Sequence, residues 1–97
     1  MTPYYVYIIL CEGNNYYTGY TKNINSRFRL HKNGKGARYT KIHKPKQVVY
    51  VEKFHSRSEA MKREKRIKQL NHIQKKKLAK SYFKAEKKST EKKKQTD

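Results

Sequence analysis

Carboxylates are scarce in this chain. Seven Asp and Glu stand against 26 Lys and Arg, a formal charge of +19 over 97 residues. Within the part expected to fold, only Glu12, Glu52, Glu59 and Glu64 are acidic. Glu12 falls in a turn, Glu52 within a strand, and Glu59 is claimed by a helix cap. That supply argues against a hydrolase built on paired carboxylates and against a nuclease whose two metal ions need several acids. The single cysteine, Cys11, excludes an internal disulfide. No Cys/His grouping has zinc-ligand spacing, and His31 and His43 are too isolated to argue for a metal cage. The apolar run Val6 to Cys11 is too short for a membrane span and suits a strand. There is no signal-peptide pattern, so the cytosol is the expected compartment and no membrane partner is expected. A phosphate-cradling Gly-rich loop and a serine nucleophile elbow are also missing.

What is abundant is positive charge. A field this strong attracts polyanions and adds self-repulsion that a small core must tolerate. Nucleic acid is the leading partner. An anionic membrane surface ranks second, but no helix joins a basic face to a broad Trp/Phe/Leu face. With 34% hydrophobic residues, the length allows one small domain with a thin core.

In chain order, residues 4–11 are β-branched and aromatic throughout and read as a strand covered on both faces. Val6, Ile8 and Leu10 point one way; Tyr5, Tyr7, Ile9 and Cys11 point the other. Glu12-Gly13-Asn14-Asn15 is turn chemistry, and Tyr16 to Tyr20 returns antiparallel. Gly19 inside that second strand suggests a bulge or a close approach. Asn23 or Asn25 caps a helix that Asn33-Gly34 ends, with Ile24 and Phe28 anchoring it to the sheet. Arg27 and His31, four residues apart, share one face of it. Residues 37–41 suggest a helical turn, and Gln47 to Phe54 alternates loosely as a third strand. The basic stretch from Lys32 to Lys46 reads equally well as a solvated loop or as a track for a phosphate backbone.

Ser56-Arg57-Ser58-Glu59 is a capping box opening a helix to about Leu70. Ala60, Met61, Ile67 and Leu70 define its apolar arc, and Glu64 falls inside that arc. A carboxylate there is costly unless it is paired or binds a cation. Asn71 to Gln74 opens a last helix with an uneven apolar pattern of Ile73, Leu78, Ala79, Tyr82 and Phe83. Residues 1–83 are thus expected to form the domain, and 84–97 a Lys-rich disordered tail adding non-specific charge.

The remaining inventory of Tyr, Arg, His and one acid can still cut a phosphodiester. One carboxylate can hold a mostly hydrated Mg²⁺ that shares phosphate oxygens with the substrate. A tyrosine phenolate, its pKa lowered by nearby cations, can take a proton from water, while Arg27 braces the phosphate.

At these residues the chain resembles the GIY-YIG nuclease superfamily. Tyr5-Val6-Tyr7 stands for the first signature triplet and Tyr17-Thr18-Gly19 for the second. Asn23-Ile24-Asn25-Ser26-Arg27, with His31 one turn on, resembles the family's Arg-bearing helix, and Glu64 matches its metal-binding Glu. Residues 4–80 carry the likeness, which is closest to small stand-alone bacterial members. It implies an α+β fold, a three-stranded antiparallel sheet flanked by helices, and metal-dependent DNA endonuclease activity in DNA repair or processing. The implied metal is Mg²⁺ or Mn²⁺. Carried over by position, Tyr7 and Tyr17 are the signature tyrosines, Arg27 contacts phosphate, Glu64 holds the metal and His31 assists. Tyr17 is favoured as the base, because its strand leads towards the helix of Arg27. Tyr5 replaces the leading Gly of the first triplet, a departure that bears on packing around the strand.

Candidate nucleic-acid contacts are Tyr20, Lys22, Arg38, Tyr39 and Lys41. Tyr4, Tyr5, Tyr50 and Tyr82 read as packing, and His43, His55 and His72 as incidental. DNA is the expected partner and RNA an open alternative. Targeting is expected from substrate shape or from a protein partner, since relatives usually carry a separate targeting module. The rival reading is a catalytically silent nucleic-acid-binding protein on the same fold.

Overall fold

The computed structural model describes the backbone of residues 3–95 and the side chains of residues 3–85. Strand β1 (Tyr4–Cys11) turns back as β2 (Asn15–Thr21). Gly13 and Asn14 take positive φ in the connection, where a residue with a bulky side chain is strained. Helix α1 (Ile24–Lys32), the short helix α2 (Arg38–Ile42) and strand β3 (Pro45–Phe54) follow. Helices α3 (Arg57–Lys68) and α4 (His72–Gln95) complete the chain. The sheet order is β2-β1-β3, antiparallel at both junctions, so β1 is central and β2 and β3 are edges.

Alternation along β1 sorts the core into two clusters. Val6 and Ile8 join Val49, Ala60, Ile67 and Ala79 beneath α3 and α4. Tyr7, Ile9 and Cys11 lie on the opposite face, packed with Tyr17, Ile24 and Val48. Burying each branched aliphatic side chain contributes about 1.5–3 kcal/mol. The loose alternation of β3 has a physical cause: the register against β1 shifts between Ile8 and Ile9, and again between Leu10 and Cys11. Val49 is the extra residue at the first shift, and it drops into the α3/α4 cluster.

Caps define the helix starts. Asn23 Oδ1 accepts from Ser26 N at 3.0 Å, and Ser56 Oγ accepts from Glu59 N at 3.2 Å. Asn71 and Gln74 form a reciprocal box, each side chain accepting from the other's backbone N–H at 2.9 Å. A polar clamp ties β3 to α3. Tyr50 donates to Glu52 Oε1 at 2.6 Å and Arg63 Nε reaches the same oxygen at 2.9 Å. The Tyr82 ring of α4 stands edge-on to Tyr50.

Several side chains lie elsewhere than the periodicity suggests. Met61 is 44% exposed, so the inward face of α3 is Ala60 and Ile67 with Glu64 between them. On α1 the buried anchor is His31 alongside Ile24, while Phe28 is half-buried under the Lys32 ammonium. Ile73 and Phe83 face outward from α4, leaving Leu78 and Ala79 to meet the core. Backbone helix continues past residue 84 to Gln95, and residues 96–97 of the expected tail lie outside the described residues.

Ile67→Ala should therefore cost about 2–5 kcal/mol in urea unfolding, whereas Met61→Ala should stay within about 0.5 kcal/mol. Equal losses would place Met61 in the core.

Candidate active site

A glycine shapes the site. Tyr7 pairs with Gly19 across β1 and β2, and its phenol folds over the empty position. A Cβ at residue 19 would stand 2.5 Å from the Tyr7 hydroxyl oxygen. The register there is regular, so the sequence anomaly at Gly19 is a close approach and not a bulge.

Tyr7 Oη lies 2.9 Å from His31 Nε2, both groups buried. His31 Nδ1 lies 2.8 Å from Thr40 Oγ1, and Thr40 donates to the Ala37 carbonyl at 2.8 Å. Gly36 presses its backbone against the imidazole so closely that any Cβ there would collide with Nδ1. The Tyr17 ring covers the imidazole at a centroid separation of 4.9 Å and stacks on Tyr39 at 5.9 Å. The imidazole is thus fixed on several sides.

Because β2 is an edge strand, groups from both faces of the sheet meet along it. They line an open cleft of about 810 Å³. Tyr7, Tyr17, Arg27, His31 and Glu64 all border it. Arg27, itself exposed, reaches it from the same face of α1 as His31, one turn earlier. Glu64 enters from α3, one turn after Ala60 and one before Ile67. Its side chain is 19% exposed, and among the described residues it makes one ion pair, to Lys68 at 3.6 Å. Tyr20 and Lys22 line the same cleft. Arg38, Tyr39 and Lys41 do not; they sit on α2, with Tyr39 behind Tyr17.

Electrostatics correct one expectation. Burial, aided by the charge of Tyr17 and then Glu64, pushes the Tyr7 hydroxyl well above the ordinary phenol range despite Arg27. Tyr17 is raised too, first by burial and then by Glu64. Neither phenol is acidified, because desolvation outweighs the guanidinium. Burial, then Arg27, lowers His31 below its usual 6.5 and keeps it neutral.

Thr40, Gly36 and Arg57 carry no sequence signal for this place. Arg57 borders the cleft and donates to Tyr20 Oη at 3.3 Å, yet it reads as an ordinary first-turn arginine. Among the described residues, no group of three or more His, Cys, Asp or Glu could hold a metal ion. No helix there is long and apolar enough to cross a membrane.

Fold and cleft together define a small α+β domain with an open, tyrosine-lined cleft along the edge strand of its three-stranded sheet. The model of the GIY-YIG catalytic domain matches residues 3–79, and the chain belongs to that family. It is 50% identical over 78 residues to a UPF0213 protein of Staphylococcus haemolyticus, covering 80% of this chain and 95% of the relative. A UPF0213 protein of Oceanobacillus iheyensis is 51% identical over 75 residues, covering 77% of this chain and 87% of the relative. Among solved structures, the UPF0213 protein BH0048 from Bacillus halodurans superposes with a TM-score of 0.52 at 38% identity, covering 80% and 83% of the two chains. The protein EF2693 from E. faecalis gives 0.58 at 34%, covering 86% and 88%.

Two outcomes check this geometry. Gly19→Ala should destabilise the fold by roughly 1–3 kcal/mol in urea unfolding, because the added methyl must displace the Tyr7 ring. For His31, the unfolded state binds a proton at a higher pH than the folded state, so stability falls as pH drops through the unfolded value near 6.5. Melting from about pH 7 to about pH 5 should show a steeper loss for wild type than for His31→Gln.

Proposed function

We propose that the chain is a divalent-metal-dependent endonuclease that hydrolyses phosphodiester bonds in DNA, acting in the cytosol. The observation that carries this reading is the convergence on one cleft of a Tyr7–His31 pair, the Arg27 guanidinium and the Glu64 carboxylate, within a chain of +19 charge.

A lone carboxylate suits a hard, largely hydrated cation such as Mg²⁺ or Mn²⁺. Mg²⁺ keeps several waters and takes one or two carboxylates plus substrate phosphates, so no protein cage is needed. Glu64 would hold it, its one described ion pair leaving lone pairs available. When bound, such an ion neutralises charge on the phosphate and on the leaving oxygen in the transition state.

The chain's own groups handle proton and phosphate. Arg27 directs its donors at the scissile phosphate. A raised phenol pKa makes a standing Tyr7 phenolate inaccessible near neutral pH. Tyr7 therefore works by exchange: as the water oxygen bonds to phosphorus, its proton passes to Tyr7 Oη and the phenol proton passes to His31 Nε2. The phosphorus–oxygen bond to the leaving nucleoside breaks, that oxygen takes a proton from solvent, and the proton gained by His31 returns to solvent by way of Tyr7 Oη, restoring the neutral pair. Tyr17 holds the imidazole from the side. The hydrogen bond to His31 favours Tyr7 over Tyr17 as the proton-accepting group. Tyr20, Lys22 and Arg57 extend the basic lining for the nucleic-acid backbone.

The test is cleavage of single-stranded, duplex, flap and branched DNA with Mg²⁺ or with EDTA. Glu64→Ala should abolish cutting while DNA affinity stays the same or rises. Tyr7→Phe should lower the rate about 10²- to 10⁴-fold. Binding should weaken steeply with salt, because Lys and Arg contacts release counterions. Tight binding with no cutting on any substrate would favour a silent nucleic-acid-binding protein, and cutting by Glu64→Ala would remove Glu64 from the mechanism.

A further inference from the structure

Resting on the nuclease reading of the cleft, one buried side chain outside it gains a role. We propose that Thr40 is a positioning residue that locks His31 in the Nδ1–H tautomer, so that Nε2 is free to receive the Tyr7 proton.

Thr40 Oγ1 lies 2.8 Å from two atoms, the Ala37 carbonyl oxygen and His31 Nδ1. A carbonyl oxygen has no proton to give, so the hydrogen on the first of these contacts belongs to Thr40. A hydroxyl has only one. On the second contact Oγ1 must therefore accept, and the hydrogen there is carried by Nδ1. A neutral imidazole protonated at Nδ1 presents a bare Nε2, which leaves Tyr7 as the donor of the 2.9 Å hydrogen bond. The chain runs one way: Tyr7 to His31, His31 to Thr40, Thr40 to the Ala37 carbonyl.

The far end of that chain is anchored. Ala37 is the N-cap of α2, and its carbonyl also accepts from Thr40 N at 3.1 Å and Lys41 N at 3.3 Å. A threonine in a helix commonly returns its hydroxyl proton to a carbonyl three or four residues back. This short helix thereby turns an oxygen with only lone pairs to offer towards the imidazole. Burial protects the arrangement. Thr40 is 1% and His31 2% exposed, and Gly36 and Tyr17 close on the ring, so solvent does not compete for Nδ1.

Valine has threonine's shape without the oxygen. In Thr40→Val a proton on Nδ1 would be buried with no acceptor, so it moves to Nε2. His31 then donates to Tyr7 Oη, the polarity of the bond reverses, and Tyr7 has nowhere to send its proton. Serine keeps the oxygen and the wiring.

The experiment is long-range ¹H–¹⁵N NMR of the His31 imidazole in the full chain, at a pH where the ring is neutral. In wild type and Thr40→Ser, Nδ1 should show the shift of a protonated ring nitrogen and Nε2 that of a bare one. Thr40→Val should lose that pattern. Its cleavage rate should fall about 10- to 100-fold, as when partners that orient an imidazole are removed. DNA affinity in EDTA should stay unchanged, and Thr40→Ser should restore the rate. An Nε2–H ring in wild type would overturn the proposal, as would an Nδ1–H ring persisting in Thr40→Val. If Thr40→Val does not fold, the wild-type and Thr40→Ser spectra decide alone. A wild-type chain that cuts no DNA would overturn the nuclease reading, while the imidazole spectrum still judges Thr40.

Discussion

The cleft depends on an empty space. Because residue 19 has no side chain, the Tyr7 ring lies across β2 and brings its hydroxyl to His31 on a different element. That contact sets where α1 docks, and α1 carries Arg27 one turn earlier on the same face. Gly36 repeats the device on the opposite side of the imidazole, where backbone replaces what would be a colliding side chain. Two glycines thus permit a tyrosine and a histidine to meet in an interior too close-packed for either to move aside.

Few acids make each placement count. Glu52 is held by Arg63 and Tyr50 between β3 and α3, and Glu59 lies in the first turn of α3, its backbone N–H donating to the Ser56 cap. Glu12 stands in the hairpin connection. Glu64 alone of the described carboxylates borders the cleft, held by one long ion pair to a half-exposed lysine. In a chain of such positive charge a second acid there would pair with the cations around the cleft. It would also raise the neighbouring phenols further.

Much of the architecture was readable beforehand because it rests on local rules. Period-two alternation in Tyr4–Cys11 separates the two core clusters, and the Asn23, Ser56 and Asn71 caps are visible from residue type and spacing. Glu64 was legible for a similar reason, falling a turn from both Ala60 and Ile67. What escaped depends on contacts between elements. Met61 and Phe28 fit the apolar period but face no layer that would bury them fully. Thr40 gains its place only because the α1–α2 connection folds it beneath a histidine nine residues earlier. The upward shift of the two tyrosines is not visible in the sequence, because nearby cations can be counted there and burial cannot.

Tyr7, Gly19, Arg27, His31 and Thr40 all precede β3, whereas Glu64 follows it on α3. On the ribosome, the half that carries the Tyr7–His31–Thr40 hydrogen bonds is therefore made first. It cannot settle alone, since Val6 and Ile8 are covered by Ala60, Ile67 and Ala79 from the last two helices. The helix that covers those residues is also the one that delivers the carboxylate. The chain thus acquires its packed core and the full lining of its cleft in one event.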